Sequence, residues 1–559
     1  MSDLATSSVN AFADEFWEAI LELNPTTATV YGDDRYDDRL EDPGPAGRAA
    51  ARSLFERTLA ESSRMPADGL SIEERITLDL VRVVCELSIE QDDQRFDLFR
   101  AVDQIQGPQT LLPQVVLFQP ADTPERLEKL LARIEAYRDY MGSNTELLRE
   151  AAATGMTHPR IVIDRTIAQL EGLLASSIDE SPIVTGARVA SQADRARVAE
   201  RVERVVRPAD QAYLDVLRSA YSPAARPADG LWSAPNGEEL YRTQMLVWTT
   251  LKLDPQELHD YGKDQIVALE SERRRIAQAH GFGDDTHAYR AALAADPSNL
   301  PASREELVRR ATEDIERALA VAPRAFGRLP RATCEVREVE AFKEKDSPFA
   351  YYYPPTADGS RPGIYYVNAY DLPSRTYSTL GTTTYHEAVP GHHFQIALEM
   401  EHPDLPKFRR FGSRLVGSSY VEGWGLYSER LADELGLFRN EAERFGMLDA
   451  QAWRAARLVV DTGLHALRWT RQQSIDFLRE TGLTDTNATI ETDRYITWPA
   501  QALTYMVGQR ELLRLRQEIA LRDGSRFDLR AFHDAVLGHG SLPLATLARE
   551  LPGWVALPV

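Results

Sequence analysis

The sequence predicts a mainly α-helical protein with one small antiparallel β-sheet, and three observations predict it. Apolar residues recur at helical spacing through most of the 559 residues. Only one stretch, Thr333 to Tyr370, carries the aromatic and β-branched runs, bounded by Pro and Gly, that mark strands. The composition is 43% hydrophobic, the value of an ordinary globular chain able to bury a large core.

The elements follow in order. Phe12, Phe16, Ile20 and Leu23 share one face of a helix from Ser8 to Leu23, stopped by Asn24-Pro25. Glu41 to Pro45 reads as a loop. Helical patterns then cover 46–64, 71–94, 123–154, 161–177 and 190–221. Ser222 to Glu238, rich in Pro, Ala and Gly, reads as a loop or linker. It divides an N-terminal helical half, 1–221, from a C-terminal half, 239–559, and the two are expected to pack around a cleft. Helix resumes from Gly237 to Arg275, breaks at Asp296-Pro297 and Leu300-Pro301, and returns over Arg304 to Ala322. Glu335 to Val339, Ala350 to Tyr353 and Gly363 to Val367 are the expected strands. One edge of their sheet could pair with an extended peptide backbone. Helices return at 408–435, 441–467, 470–481, 500–521 and 527–538.

Charge and cysteine content exclude some classes. The net charge of -22 argues against nucleic acid or an anionic membrane as the main partner. Cys85 and Cys334, the two cysteines, form no framework and are expected as free thiols in a reducing compartment. Met1-Ser2-Asp3-Leu4-Ala5 has no basic or long apolar leader character, and no run approaches the ~20 apolar residues of a membrane span. A cytoplasmic location is the expectation.

The chemistry concentrates in Tyr385-His386-Glu387-Ala388-Val389-Pro390-Gly391-His392-His393, which puts three of the 11 histidines within eight residues. Zinc hydrolases need neutral imidazoles, a carboxylate ligand and a nearby base. The usual peptidase pattern, H-E-x-x-H, places its histidines at i and i+4 on one helix face. Here Pro390 stands where the second histidine would be. In a regular helix i+6 lies roughly 9 Å along the axis and about 240° around it, so His386 and His392 could not share an ion. A break at Pro390-Gly391 is therefore expected, returning His392 or His393 to His386.

A third ligand is expected from Glu422, about 30 residues on, in a helix where Gly423 and Gly425 allow close approach. Glu429, seven residues later on the same face, is the expected partner of a ligating histidine. Glu387 is the candidate general base. An oxyanion donor is expected in His465 or Tyr505. Arg457, Asp461 and His465 recur at i, i+4 and i+8 on one helix face. Asp461 and His393 stand as alternative or supporting groups, and Asn368, Arg457, Arg494 and Gln501 as substrate-binding ones.

These segments, with Pro499-Ala500-Gln501-Ala502 and Gly508, together resemble the bacterial family known as domain of unknown function 885, grouped with the zincin-like metallopeptidases. The resemblance covers most of the chain. It implies a large helical zincin-like fold and favours His392 over His393 as ligand. The combined expectation is a single-zinc hydrolase of short peptides or other amides, with His386, His392 and Glu422 as ligands. A zinc amidohydrolase acting on a non-peptide small molecule shares every one of these residues. An inactive metal- or peptide-binding protein is a further alternative. A helical iron protein would need repeated Glu-x-x-His pairs, and none occur.

Overall fold

The computed structural model describes residues 8–65, 68–339, 344, 348–356, 361–412, 415 and 418–555. Met1 to Ala5, on which the leader reading rests, lies outside them. The chain divides into two compact units. The first is 1–243 with 464–471 and 490–499; the second is 244–463 with 472–489 and 500–559. The division falls within the helix Gly237–Thr249, and the first unit also takes two short segments from far beyond it.

Among the described residues the first unit is helical apart from a two-residue parallel pairing of Pro120–Ala121 with Arg188–Val189 and a single bridge between Pro159 and Arg226. Its helices Ser8–Leu23, Pro45–Arg64 and Ile72–Asp93 bury Phe16, Trp17, Leu54, Leu80 and Val81. Ser71 and Glu74 close a capping box on the third. The long helix Pro124–Thr154 ends at Gly155, whose positive φ of 75° suits a residue without Cβ. The expected helix over 190–221 is continuous but contains two π-helical turns, Val202–Val206 and Leu217–Tyr221. Ser222 to Glu238 is short turns with Leu231 and Ala234 buried.

The second unit holds the sheet: β1 (Cys334–Glu338), β2 (Ala350–Tyr353) and β3 (Gly363–Val367). The order is β1-β3-β2, with β1 parallel and β2 antiparallel to β3. The sheet is therefore mixed, where an antiparallel one was expected. β3 is the most buried strand and takes the centre, while β1 alternates between half-buried and exposed and forms an edge. Side-chain alternation marks a strand but is blind to the direction of its partner.

Two helices carry the histidine segment, α1 (Tyr377–Glu387) and α2 (His392–Met400), and three more supply its neighbours: α3 (Ser419–Glu434), α4 (Glu441–His465) and α5 (Thr504–Asp523). The helix expected from 500 starts later than its Pro499 suggested. Ala500 is left-handed, with φ of 70°, and a single 3-10 turn precedes α5. α3 packs most extensively on α5. A Cβ on Gly423 would overlap the backbone of Gly508, and one on Gly508 would overlap the Ser419 carbonyl, so only glycine permits this approach. Helices Thr286–Ala295, Asp485–Thr497 and Leu544–Trp554 were not expected.

Candidate metal centre

The helix break falls where Pro390 and Gly391 predict it. α1 stops at Glu387, Val389-Pro390 is cis, and α2 begins at His392. Gly391 packs so closely under the His386 carbonyl that a Cβ would overlap it. From α3, Trp424 Nε1 donates to the Pro390 carbonyl (2.9 Å), and Ser428 Oγ donates to it at 3.3 Å. The break folds α2 back, and the rings of His386 and His392 meet edge to face with centroids 4.8 Å apart.

Three polar atoms converge there. His386 Nε2 and His392 Nε2 each lie 3.6 Å from Glu422 Oε2. That is too long for a hydrogen bond. It is close to the roughly 3.3 Å that separates two N or O ligands on one tetrahedral zinc. Glu387 also belongs to the group: ligand atoms of His386, Glu387 and His392 lie within 4.8 Å of one another. Gly425 forms the floor. A Cβ there would come within 2.8 Å of His386 Nε2 and 3.0 Å of His392 Cε1. The donor set and this cradle fit a small divalent ion.

The two carboxylates differ. Burial alone would raise both, but contact with His386 and His392 holds Glu422 well below the usual carboxylate range. Burial prevails at Glu387, which is held up. A ligand must be ionised and a base must take a proton near neutrality, so the opposite shifts favour Glu422 as ligand and Glu387 as base. Burial also opposes charge on His386, yet Glu422 and Glu429 outweigh it and hold its pKa at about 10 in the metal-free protein. Metal binding must displace that proton.

Behind His386 the support is continuous. His386 donates from Nδ1 to Glu429 Oε1 (2.8 Å), leaving the Nε2 lone pair for the pocket. Gln451 Nε2 donates to Glu429 Oε2 (3.0 Å), and Gln509 Nε2 to Gln451 Oε1 (2.9 Å). His392 lacks such a tie, since its Nδ1 is buried without a hydrogen-bond partner among the described residues. His386 is thus the better oriented of the two candidate ligands. Replacing Glu429 with Ala is expected to weaken zinc binding by roughly 10- to 100-fold. Competition against a chelator of known affinity measures this, and an unchanged affinity would remove Glu429 from the centre.

The remaining expected residues separate. Tyr505 is half-buried beside the cluster, its ring stacked on His386 with centroids 6.3 Å apart. Arg457 Cζ lies 4.5 Å from the Tyr505 ring centroid and 4.4 Å from that of Trp453. Gln501 is buried in the turn before α5. Several assignments need correction. His393 points to the sheet, donating from Nε2 to the Ala332 carbonyl (3.1 Å) and accepting the Tyr352 hydroxyl at Nδ1 (2.9 Å). His465 belongs to the first unit and is fully buried there. It accepts the Leu231 N–H at Nδ1 (3.0 Å) and donates from Nε2 to the Tyr495 carbonyl (2.9 Å). Burial pushes its pKa down to about 3, so it is a neutral structural group, not an oxyanion donor. Asp461 accepts the N–H of the left-handed Ala500 at both oxygens (3.1 Å each) and shapes the turn into α5. Asn368, 1% exposed, donates to the carbonyls of Glu344 (2.6 Å) and Pro348 (3.1 Å) and closes that loop instead of facing a substrate. Arg494, on the helix Asp485–Thr497, has its Cζ 5.8 Å from the Trp498 ring centroid.

Sequence reasoning passed over Arg454. Gln451, Arg454, Arg457 and Asp461 are spaced 3, 3 and 4 residues apart on α4, the signature of one helix face.

Fold and pocket together define a large, mainly helical protein with a small mixed sheet and a candidate three-ligand metal centre. The chain belongs to the family of bacterial proteins of unknown function known as DUF885, whose model matches residues 25–551. A crystal structure described as a "putative lipoprotein" from Colwellia psychrerythraea is similar over 98% of both chains, with 29% identity and a TM-score of 0.91. One of a "putative lipoprotein of unknown function" from Shewanella oneidensis shares the fold over 97% of this chain and 99% of its own, at 20% identity and a TM-score of 0.77. No curated protein matches.

Proposed function

We propose that the protein is a zinc-dependent hydrolase of amide bonds, acting on short peptides within a zincin-like fold. The observation that carries this reading is the convergence of His386 Nε2 and His392 Nε2 on Glu422 Oε2, at 3.6 Å each, with Glu387 beside them. His386, His392 and Glu422 would hold one zinc per chain. Bound there, zinc would supply Lewis-acid polarisation of a carbonyl and a more acidic water. Glu387 takes the proton of the attacking water and, its carboxyl held up by burial, returns it to the leaving amine. The new C–O bond replaces the C–N bond as the amine departs. Tyr505 directs its hydroxyl to the developing oxyanion.

The test is metal content of the purified protein beside His386→Ala and Glu422→Ala. About one zinc per chain in the wild type, lost in both variants, is the expected result. A wild type that takes up no zinc on reconstitution would refute the hydrolase. A cytoplasmic location is part of the proposal, resting on the unpaired thiols Cys85 and Cys334. The relatives described as lipoproteins point instead to an anchored one. Cell fractionation decides between them.

A further inference from the structure

Arg454 stands out on α4. It is half-buried, yet it makes no contact with a carboxylate within 4 Å among the described residues. Its Nη1 reaches only the Ala450 carbonyl, at 3.4 Å, and its Nε is buried without an acceptor. A guanidinium in that state retains donors in a fork that matches a carboxylate. Its position ties it to the metal centre. Arg454 Cζ lies 6.0 Å from the Tyr505 ring centroid, and Tyr505 stacks on His386. Arg457, 3% exposed, has its Cζ over both Tyr505 and Trp453, while Arg454 Cζ lies 4.7 Å from the Trp453 ring centroid and is the more exposed of the two cations.

Charge gives this arrangement a purpose. The chain as a whole carries -22, and the pocket holds Glu387, Glu422 and Glu429. An anionic substrate would be repelled unless a local cation met it. Arg454 already acts electrostatically on Glu387 and Glu429. It does so through space, since no hydrogen bond joins it to either carboxylate, and its donors are left for a further anion.

We propose that Arg454 receives the C-terminal carboxylate of a peptide, making the protein a carboxypeptidase that releases the last one or two residues. The inference rests on the hydrolase reading above. The length follows from reach: Arg454 Cζ lies 6.0 Å from the Tyr505 ring centroid and that ring 6.3 Å from His386, a path of at most about 12 Å. A carboxylate–guanidinium contact takes about 4 Å of it and each peptide residue roughly 3.5 Å, so one or two residues fit. Water adds its oxygen to the acyl carbon and its proton to the departing amine, so no other reactant is needed.

The experiment uses the zinc-loaded full chain and one random hexapeptide pool made twice, as C-terminal free acids and as C-terminal amides, read by mass spectrometry. The free-acid pool is expected to lose one or two terminal residues at least 100-fold faster than the amides. Arg454→Met should bring the two pools within about threefold by a rise in KM, and Arg454→Lys should restore part of the preference. Equilibrium dialysis with zinc-loaded Glu387→Gln protein gives a readout without turnover: free acids are retained over amides, and the added Arg454→Met change abolishes this. Equal cleavage of both pools, or a preference that survives Arg454→Met, overturns the carboxylate inference and leaves the hydrolase standing. Cleavage of neither pool overturns both.

Discussion

Changing Glu387 to Gln is expected to lower peptide hydrolysis by roughly 100- to 10,000-fold, the range that general-base catalysis contributes, while zinc content stays at one per chain. Both halves of that result matter. Glu387 and Glu422 lie beside the same two imidazoles, and either could be drawn as a ligand. Their environments separate them. Glu422 stands equidistant from both Nε2 atoms and is held in its ionised form, whereas burial holds the Glu387 carboxyl up, toward the range in which it can take and return a proton. Gln keeps the size of Glu387 and removes only its basicity. Atomic absorption and initial rates on the same preparation check both halves. Loss of zinc in this variant would make Glu387 a ligand and reverse the two roles.

Changing Gly425 to Ala is expected to reduce zinc affinity by roughly 10- to 100-fold, as disturbance of a ligand's surroundings does, with little effect on the fold. The added methyl would sit 2.8 Å from His386 Nε2 and Cε1 and 3.0 Å from His392 Cε1. No atom pair can hold those distances, so something moves. α3 is fixed by Trp424 and Ser428 on the Pro390 carbonyl and by its packing on α5, so the rings move. His386 cannot turn aside without breaking its bond to Glu429. Chelator competition gives the affinity, and the melting curve of metal-free protein shows that the fold is kept. A Gly425→Ala variant that binds zinc like the wild type would mean that the metal does not lie over α3.

The convergence of His386, His392 and Glu422 was legible in the sequence because its parts are local or glycine-marked. Pro390-Gly391 announced the break, and Glu422-Gly423-Trp424-Gly425 announced a helix pressed against something. What stayed hidden depends on partners far along the chain. His465 looks catalytic beside Asp461 and Arg457 until Leu231, 234 residues away, is found donating to its ring. His393 and His392 are adjacent and chemically identical, and Tyr352 and Ala332 decide between them. Strand alternation located all three strands but not the parallel pairing of β1 with β3, since side-chain period carries no direction. Arg454 could have been found, because its spacing from Arg457 already placed it on the face read as functional.

The contact between Gly423 and Gly508 acts as a gauge. Two helices that touch through backbone have no side chains left to compress or rotate, so their spacing has almost no tolerance. Glu422 precedes one glycine and Tyr505 stands three residues before the other, each about a turn or less from the contact. The separation between the two backbone positions that carry the carboxylate proposed to hold the ion and the phenol proposed to meet the oxyanion is therefore a manufactured dimension of the molecule, set by main chain. Any opening that admits a substrate has to be made by elements other than these two.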